Sequence, residues 1–122
     1  MSQVLIDTSK KLQVYGNIFD CDTRTILTLL DIGSIEYEFI NVDIFKGEHK
    51  AVAYLAKNPC GMIPMILDQN NQLMGSPAIF CNYLTGTKEK LKSYGPREHE
   101  AKINQYANWF MSVMRPATLR LT

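Results

Sequence analysis

The chain carries three cysteines and two histidines. Cys21, Cys60 and Cys81 are widely spaced, form no Cys-x-x-Cys pair and lie beside no histidine pattern. Neither a dithiol couple nor a zinc site follows from them. Cys21, within FDCDTR, stands at an expected helix start between Asp20 and Asp22. A thiol attacks as its thiolate; the helix dipole favours that form and the two flanking carboxylates oppose it. Cys21 therefore reads either as a nucleophile or as a plain thiol. His49 in KGEHK and His99 sit in charged surroundings that suit solvated side chains. Arg115, beside Pro116, suits the C-terminal end of a helix, where positive charge is favoured.

A different kind of signal lies in NPCGMIPMILDQNNQLMGSPAI, residues 58–79. Pro64 interrupts an apolar, strand-like run, yet proline removes a donor from any ladder it joins. Further on, Ser76 followed by Pro77 has the form of a helix start, with serine as cap and proline at the first helical position.

The elements that would position these residues alternate. LQVYGNIF, from Leu12, predicts a strand ended by Gly16 and Asn17. Asp22 is a candidate cap for a helix with Ile26, Leu29 and Leu30 on one face, stopped by Gly33. Residues 35–44 predict a largely buried strand, parallel to the first through a right-handed crossover. A helix over residues 48–57 follows, with Val52, Leu55 and Ala56 on one face and Pro59 preventing its continuation. MIPMILD and QLMG flank DQNNQ, whose asparagines tolerate positive φ, so the two runs predict a hairpin. AIFCNYL continues the helix begun at Ser76.

The resulting class is α/β, in the order βαβ-α-ββα. Residues 1–11 read as a polar leader, 12–85 as the α/β unit and 86–95, rich in Thr, Gly and Lys, as a linker. Residues 96–122 open an all-α part, with Ile103, Tyr106, Ala107, Phe110 and Met114 forming an apolar face that wants a partner. Pro116 is expected to kink or end that helix.

At 122 residues, 46% hydrophobic, 20% charged and with a net charge of +1, the chain suits one globular core. It resembles neither a disordered chain nor a polyanion binder, so no nucleic-acid partner is expected. No segment approaches the roughly 18 apolar residues of a membrane span. With an odd number of unpaired-looking cysteines, a cytoplasmic location is expected.

Four motifs, YGNIFDCDTR, NPCGMIP, GSPAI and NQYANWF, together resemble the N-terminal, thioredoxin-like domain of the glutathione transferases, specifically its theta-like members. The resemblance covers residues 12–115. It implies that Pro64 is a cis-proline, and that the free backbone of Ile63 pairs with the cysteinyl backbone of glutathione as with an added strand. Ser76 would receive the γ-glutamyl carboxylate at a helix N-terminus. Gly75 stands where the family has Glu or Gln, and Met62 where theta-like members often have lysine. His49 matches a histidine that contacts glutathione. Alignment on Arg24 puts Asp20 at the position of the theta-like serine, with Cys21 beside it as a thiol able to form a mixed disulfide with glutathione. Arg115, six residues beyond Trp109, matches an arginine that approaches the sulfur.

The resemblance thus implies glutathione as co-substrate, with no metal. The reaction would be conjugation to a small electrophile or thiol exchange, with Cys21 and Arg115 as catalytic residues. A homodimer, or a protein partner on the C-terminal helix, is implied as well. The residues at Asp20, Met62 and Gly75 leave open an alternative: a non-catalytic binding or assembly module with a degenerate glutathione site and a truncated helical part.

Overall fold

A computed structural model of the chain describes residues 11–69, 71–74, 77–88, 90–91 and 97–120. Its strands are β1 (Leu12–Gly16), β2 (Tyr37–Asn41), β3 (Met65–Asp68) and β4 (Asn71–Met74), and they form one sheet in the order β2-β1-β3-β4. β2 runs parallel to β1, while β3 is antiparallel to β1 and to β4. The crossover between the parallel pair carries α1 (Cys21–Ile32), and β3 and β4 form the expected hairpin.

Leu12 and Val14 of β1, Ile26 and Leu30 of α1, and Phe80 and Leu84 of α3 (Pro77–Thr87) belong to one buried cluster, with Ile66 and Leu91. Tyr15, Val42 and Met65 form a second cluster with Tyr54, from α2 (Val52–Leu55). Alternation along β1 sends Val14 and Tyr15 to different clusters, as the period of two requires.

Several local expectations are revised. Asp20, not Asp22, caps α1: its Oδ2 accepts from the Thr23 N–H at 2.8 Å and the Thr23 hydroxyl at 2.7 Å. Gly33 keeps right-handed angles, and the left-handed residue after α1 is Ser34, with φ of 50°. Gly33 is instead needed for space, since an added Cβ would lie 2.7 Å from Leu91 Cδ2. Strand β2 lies at the sheet edge and none of its residues is fully buried, so the expected buried strand is an exposed one.

The single helix expected over residues 48–57 is broken. A 3-10 turn, Glu48–Lys50, precedes extended Ala51, and α2 follows. In the β3–β4 turn Gln69 takes a positive φ of 55°; Asn70 lies outside the described residues. Helix α3 continues to Thr87, and Leu91, inside the stretch read as a linker, is fully buried.

Beyond residue 96 a 3-10 turn (Arg97–His99) leads into α4 (Glu100–Trp109), a π-helical stretch (Phe110–Met114) and α5 (Arg115–Arg120). Pro116 lies just past the π stretch. Proline has no N–H to donate, and its ring crowds the carbonyl one turn back; the widened turn ahead of it accommodates that ring without ending the helix. Asn82 of α3 donates to Asn104 of α4 at 3.2 Å.

Candidate glutathione site

The loop from α2 to β3 is held from below. Asn58 is fully buried; its Nδ2 donates to the Met62 carbonyl at 2.7 Å and its Oδ1 accepts from the Cys60 N–H at 3.1 Å. The Tyr54 hydroxyl donates to the same Met62 carbonyl, also at 2.7 Å. Burial of Tyr54 raises its pKa above the ordinary value, which keeps the hydroxyl a donor. Gly61 adopts a φ of 61° and packs tightly: a Cβ there would lie 3.0 Å from Leu55 Cδ2 and 3.2 Å from the His49 carbonyl. Only glycine suits both the angle and the space.

The clamped Met62 carbonyl immediately precedes Ile63, and the Ile63–Pro64 bond is cis. Pro64 is fully buried, whereas Met62 is 60% exposed. The sheet register of β3 begins at Met65, and among the described residues no hydrogen bond engages the backbone of Ile63. His49 lies in the 3-10 turn packed against Gly61, and among the described residues its buried Nδ1 has no hydrogen-bond partner. The structure therefore brings His49, Met62, Ile63 and Pro64 to one region. Gly75 and Ser76 lie outside the described residues.

A second constellation forms at the start of α1. Gly16 lets β1 meet this helix, since a Cβ would lie 2.5 Å from Thr23 Oγ1. Asn17 ties the connection down: its Nδ2 donates to the Val42 carbonyl at 3.0 Å, and its Oδ1 accepts from the Phe19 N–H at 3.0 Å. Cys21, the first residue of α1, is exposed, and its Sγ lies 3.6 Å from Asp22 Oδ1 as a donor. Asp22 is buried and forms an ion pair through Oδ2 with Arg115 Nη2 of α5. Arg115 therefore faces a carboxylate here, and its Nη1 lies 3.8 Å from Met111 Sδ. Sequence reasoning named Cys21 and Arg115 but not Asp22 between them, and it gave no role to Asn58 or Tyr54. The NPCGMIP motif was visible without the contacts Asn58 makes in it; the pairing of Asp22 with a residue so distant in sequence carried no local signal. Among the described residues no group of three His, Cys, Asp or Glu could hold a metal ion.

A four-stranded sheet of this order, with a cis-proline loop beside an open backbone and a helix start facing α5, defines a thioredoxin-like domain of glutathione-transferase type. Residues 10–86 match the family described as Glutathione S-transferase, N-terminal domain, and the chain belongs to that family. It is 34% identical over 117 residues to Glutathione S-transferase F9 of Arabidopsis thaliana, covering 91% of this chain and 52% of that protein. Among solved structures, glutathione transferase F7 of Populus trichocarpa is 30% identical with a TM-score of 0.73, over 87% of this chain and 51% of that one. Glutathione transferase F2 of the same species is 26% identical with a TM-score of 0.76, over 86% and 50%. The chain spans about half the length of the curated relatives it matches. These relatives are plant F-series proteins and lend no support to a theta-like assignment.

Proposed function

We propose that the chain binds glutathione along Ile63 and uses it in conjugation or thiol exchange, and that its subclass is that of the plant F series. The observation that carries this reading is the backbone of Ile63, which pairs with no described residue, beside the cis Pro64 bond and the Met62 carbonyl that Asn58 and Tyr54 hold. An extended peptide pairs with such an edge through main-chain bonds. The names of the relatives support glutathione as the peptide. In this reading His49 lies against the ligand, and Ser76, after Gly75, receives its γ-glutamyl carboxylate. Residues 12–85 form the binding unit, and residues 96–122 open the helical part. No helix among the described residues is long and apolar enough to cross a membrane, and the three free thiols suit a cytoplasmic setting.

Two routes to sulfur chemistry follow from the α1 start. In conjugation, the glutathione sulfur loses its proton to solvent and attacks an electrophile, with cationic stabilisation supplied from α5 by Arg115. The electrophile expels its leaving group with the bonding pair or, in an addition, takes a proton from solvent on the atom that receives the π pair. In exchange, the Cys21 thiolate attacks a glutathionylated thiol, releases that thiol and becomes a mixed disulfide; a second glutathione thiolate then restores Cys21 and leaves as glutathione disulfide. The Arg115–Asp22 pair favours exchange, because it engages the guanidinium that conjugation would need. A chloronitrobenzene conjugation assay and a glutathione-dependent disulfide-reduction assay distinguish the routes. Cys21→Ser abolishes reduction if exchange operates, and Arg115→Ala lowers kcat of conjugation if the other does.

The rival reading is a non-catalytic assembly module, alone or as a homodimer. It is favoured by the exposed apolar face of the last helices, where Tyr106 is 70% and Trp109 50% exposed. Glutathione binding without either activity would select it.

A further inference from the structure

Three side chains meet where α1 starts. The Cys21 thiol donates to Asp22 Oδ1 at 3.6 Å, and Asp22 Oδ2 pairs with Arg115 Nη2 at the first position of α5. The other terminal nitrogen of the guanidinium, Nη1, lies 3.8 Å from Met111 Sδ in the π-helical stretch that precedes α5. Each arm of the Arg115 fork therefore already meets a protein atom.

Helix stability alone does not account for this arrangement. A carboxylate in a first turn is favoured by the helix dipole, but an exposed one serves that purpose, and Asp20 already supplies the cap. Asp22 is only 7% exposed, and the cation it meets comes from the helical part of the chain rather than from α1. Two buried or half-buried charges hold each other firmly, since losing either partner leaves the other uncompensated. A glutathione thiolate arriving at the α1 start would have to displace the Asp22 carboxylate before it could reach Arg115.

We propose that Asp22 is the specificity-determining residue of this site: by holding the Arg115 guanidinium it withholds that group from the glutathione sulfur, and so selects exchange through Cys21 over conjugation. The proposal rests on the reading that glutathione binds along Ile63. Asp22 acts through Arg115 and is a positioning residue. Exchange does not need the guanidinium, because Cys21 is exposed and supplies its own sulfur. Conjugation does need it, so loss of the Asp22 charge adds an activity instead of only removing stability. The freed guanidinium, whose side chain is 27% exposed, then meets the thiolate of bound glutathione as its replacement anion.

The test follows chloronitrobenzene conjugation and glutathione-dependent disulfide reduction in the full chain and in Asp22→Asn, which keeps the shape of the side chain and removes its charge. The kcat of conjugation should rise about tenfold, the scale of one charge-assisted bond, with no comparable gain in reduction. The gain should vanish in Asp22→Asn/Arg115→Ala and persist in part in Asp22→Asn/Arg115→Lys. In a Cys21→Ser background the same series is read by the ultraviolet absorbance of the glutathione thiolate, which a merely structural role for Asp22 would not raise. Circular dichroism checks each fold, and Asp22→Ser takes the place of Asp22→Asn if the latter does not fold. An unchanged or lower kcat of conjugation in the folded variant, or a gain that survives Arg115→Ala, would overturn the proposal. Calorimetry separates this from the reading beneath it. Variants that bind glutathione without the gain refute the role of Asp22 alone, whereas a wild-type chain that binds none refutes the glutathione site and this role with it.

Discussion

Replacing Asn58 by alanine removes two hydrogen bonds at a fully buried position, one to the Met62 carbonyl and one from the Cys60 N–H. Each is worth about 1 kcal/mol net. The void left by the amide adds to this, since a closely packed neighbourhood relaxes only in part. The Met62 carbonyl retains the Tyr54 hydroxyl, which limits the loss on that side. The expected destabilisation is about 2–3 kcal/mol, read from urea unfolding as a lower midpoint at unchanged slope. For a chain of this size that corresponds to a fall in Tm of roughly 10 °C. Tyr54→Phe alone costs about 1 kcal/mol, and the double variant costs more than the sum, because the shared carbonyl then loses both partners. The folded Asn58→Ala protein also binds glutathione more weakly, since Met62 no longer fixes the Ile63 edge. A loss below about 0.5 kcal/mol for Asn58→Ala, together with unchanged glutathione affinity, would refute this description of the loop.

Asp68 is 4% exposed and accepts from Lys88 Nζ at 2.6 Å and from the Tyr83 hydroxyl at 3.1 Å, joining β3 to the end of α3. Asp68→Ala should cost about 2–3 kcal/mol, below the range for wholly buried pairs because Lys88 is partly exposed. A double-mutant cycle with Lys88→Met measures the coupling. Tyr54 has a raised pKa, first through burial, so its neutral form is favoured in the folded state. The stability it contributes is fully present below the ordinary tyrosine value near 10 and is lost as pH rises through the higher folded value. Unfolding followed from pH 9 to 11 should therefore show an alkaline decline that is shallower in Tyr54→Phe. Burial also raises the Cys81 thiol, while Cys21 and Cys60 are exposed. Timed iodoacetamide labelling near pH 8 with mass mapping should modify Cys81 last.

The α/β order was legible because a strand-forming run LQVYG stopped by Gly16 and Asn17, and a helical repeat through Ile26 and Leu30, are local signals that burial later uses. The hairpin followed from DQNNQ for the same reason. What the pattern did not carry was choice among local equals. Asp20 and Asp22 are both good caps; Asp20 takes the role through Thr23, while Asp22 pairs with the distant Arg115. Ala51 has no helix-breaking chemistry of its own, yet its extended backbone divides the expected helix at residue 51. The edge position of β2 depends on strand order, which its apolar residues do not encode. At the site, Pro64 announced itself through a proline in a strand-like run. Asn58 and Tyr54 did not, since the carbonyl they share is a tertiary contact.

Calorimetric titration of glutathione into the purified chain tests the central claim most directly. Binding along Ile63 predicts saturable heat within the millimolar range. It also predicts weaker binding in Asn58→Ala, with the folded state intact by circular dichroism. Absence of heat at millimolar glutathione, with the wild-type chain folded, would contradict the account.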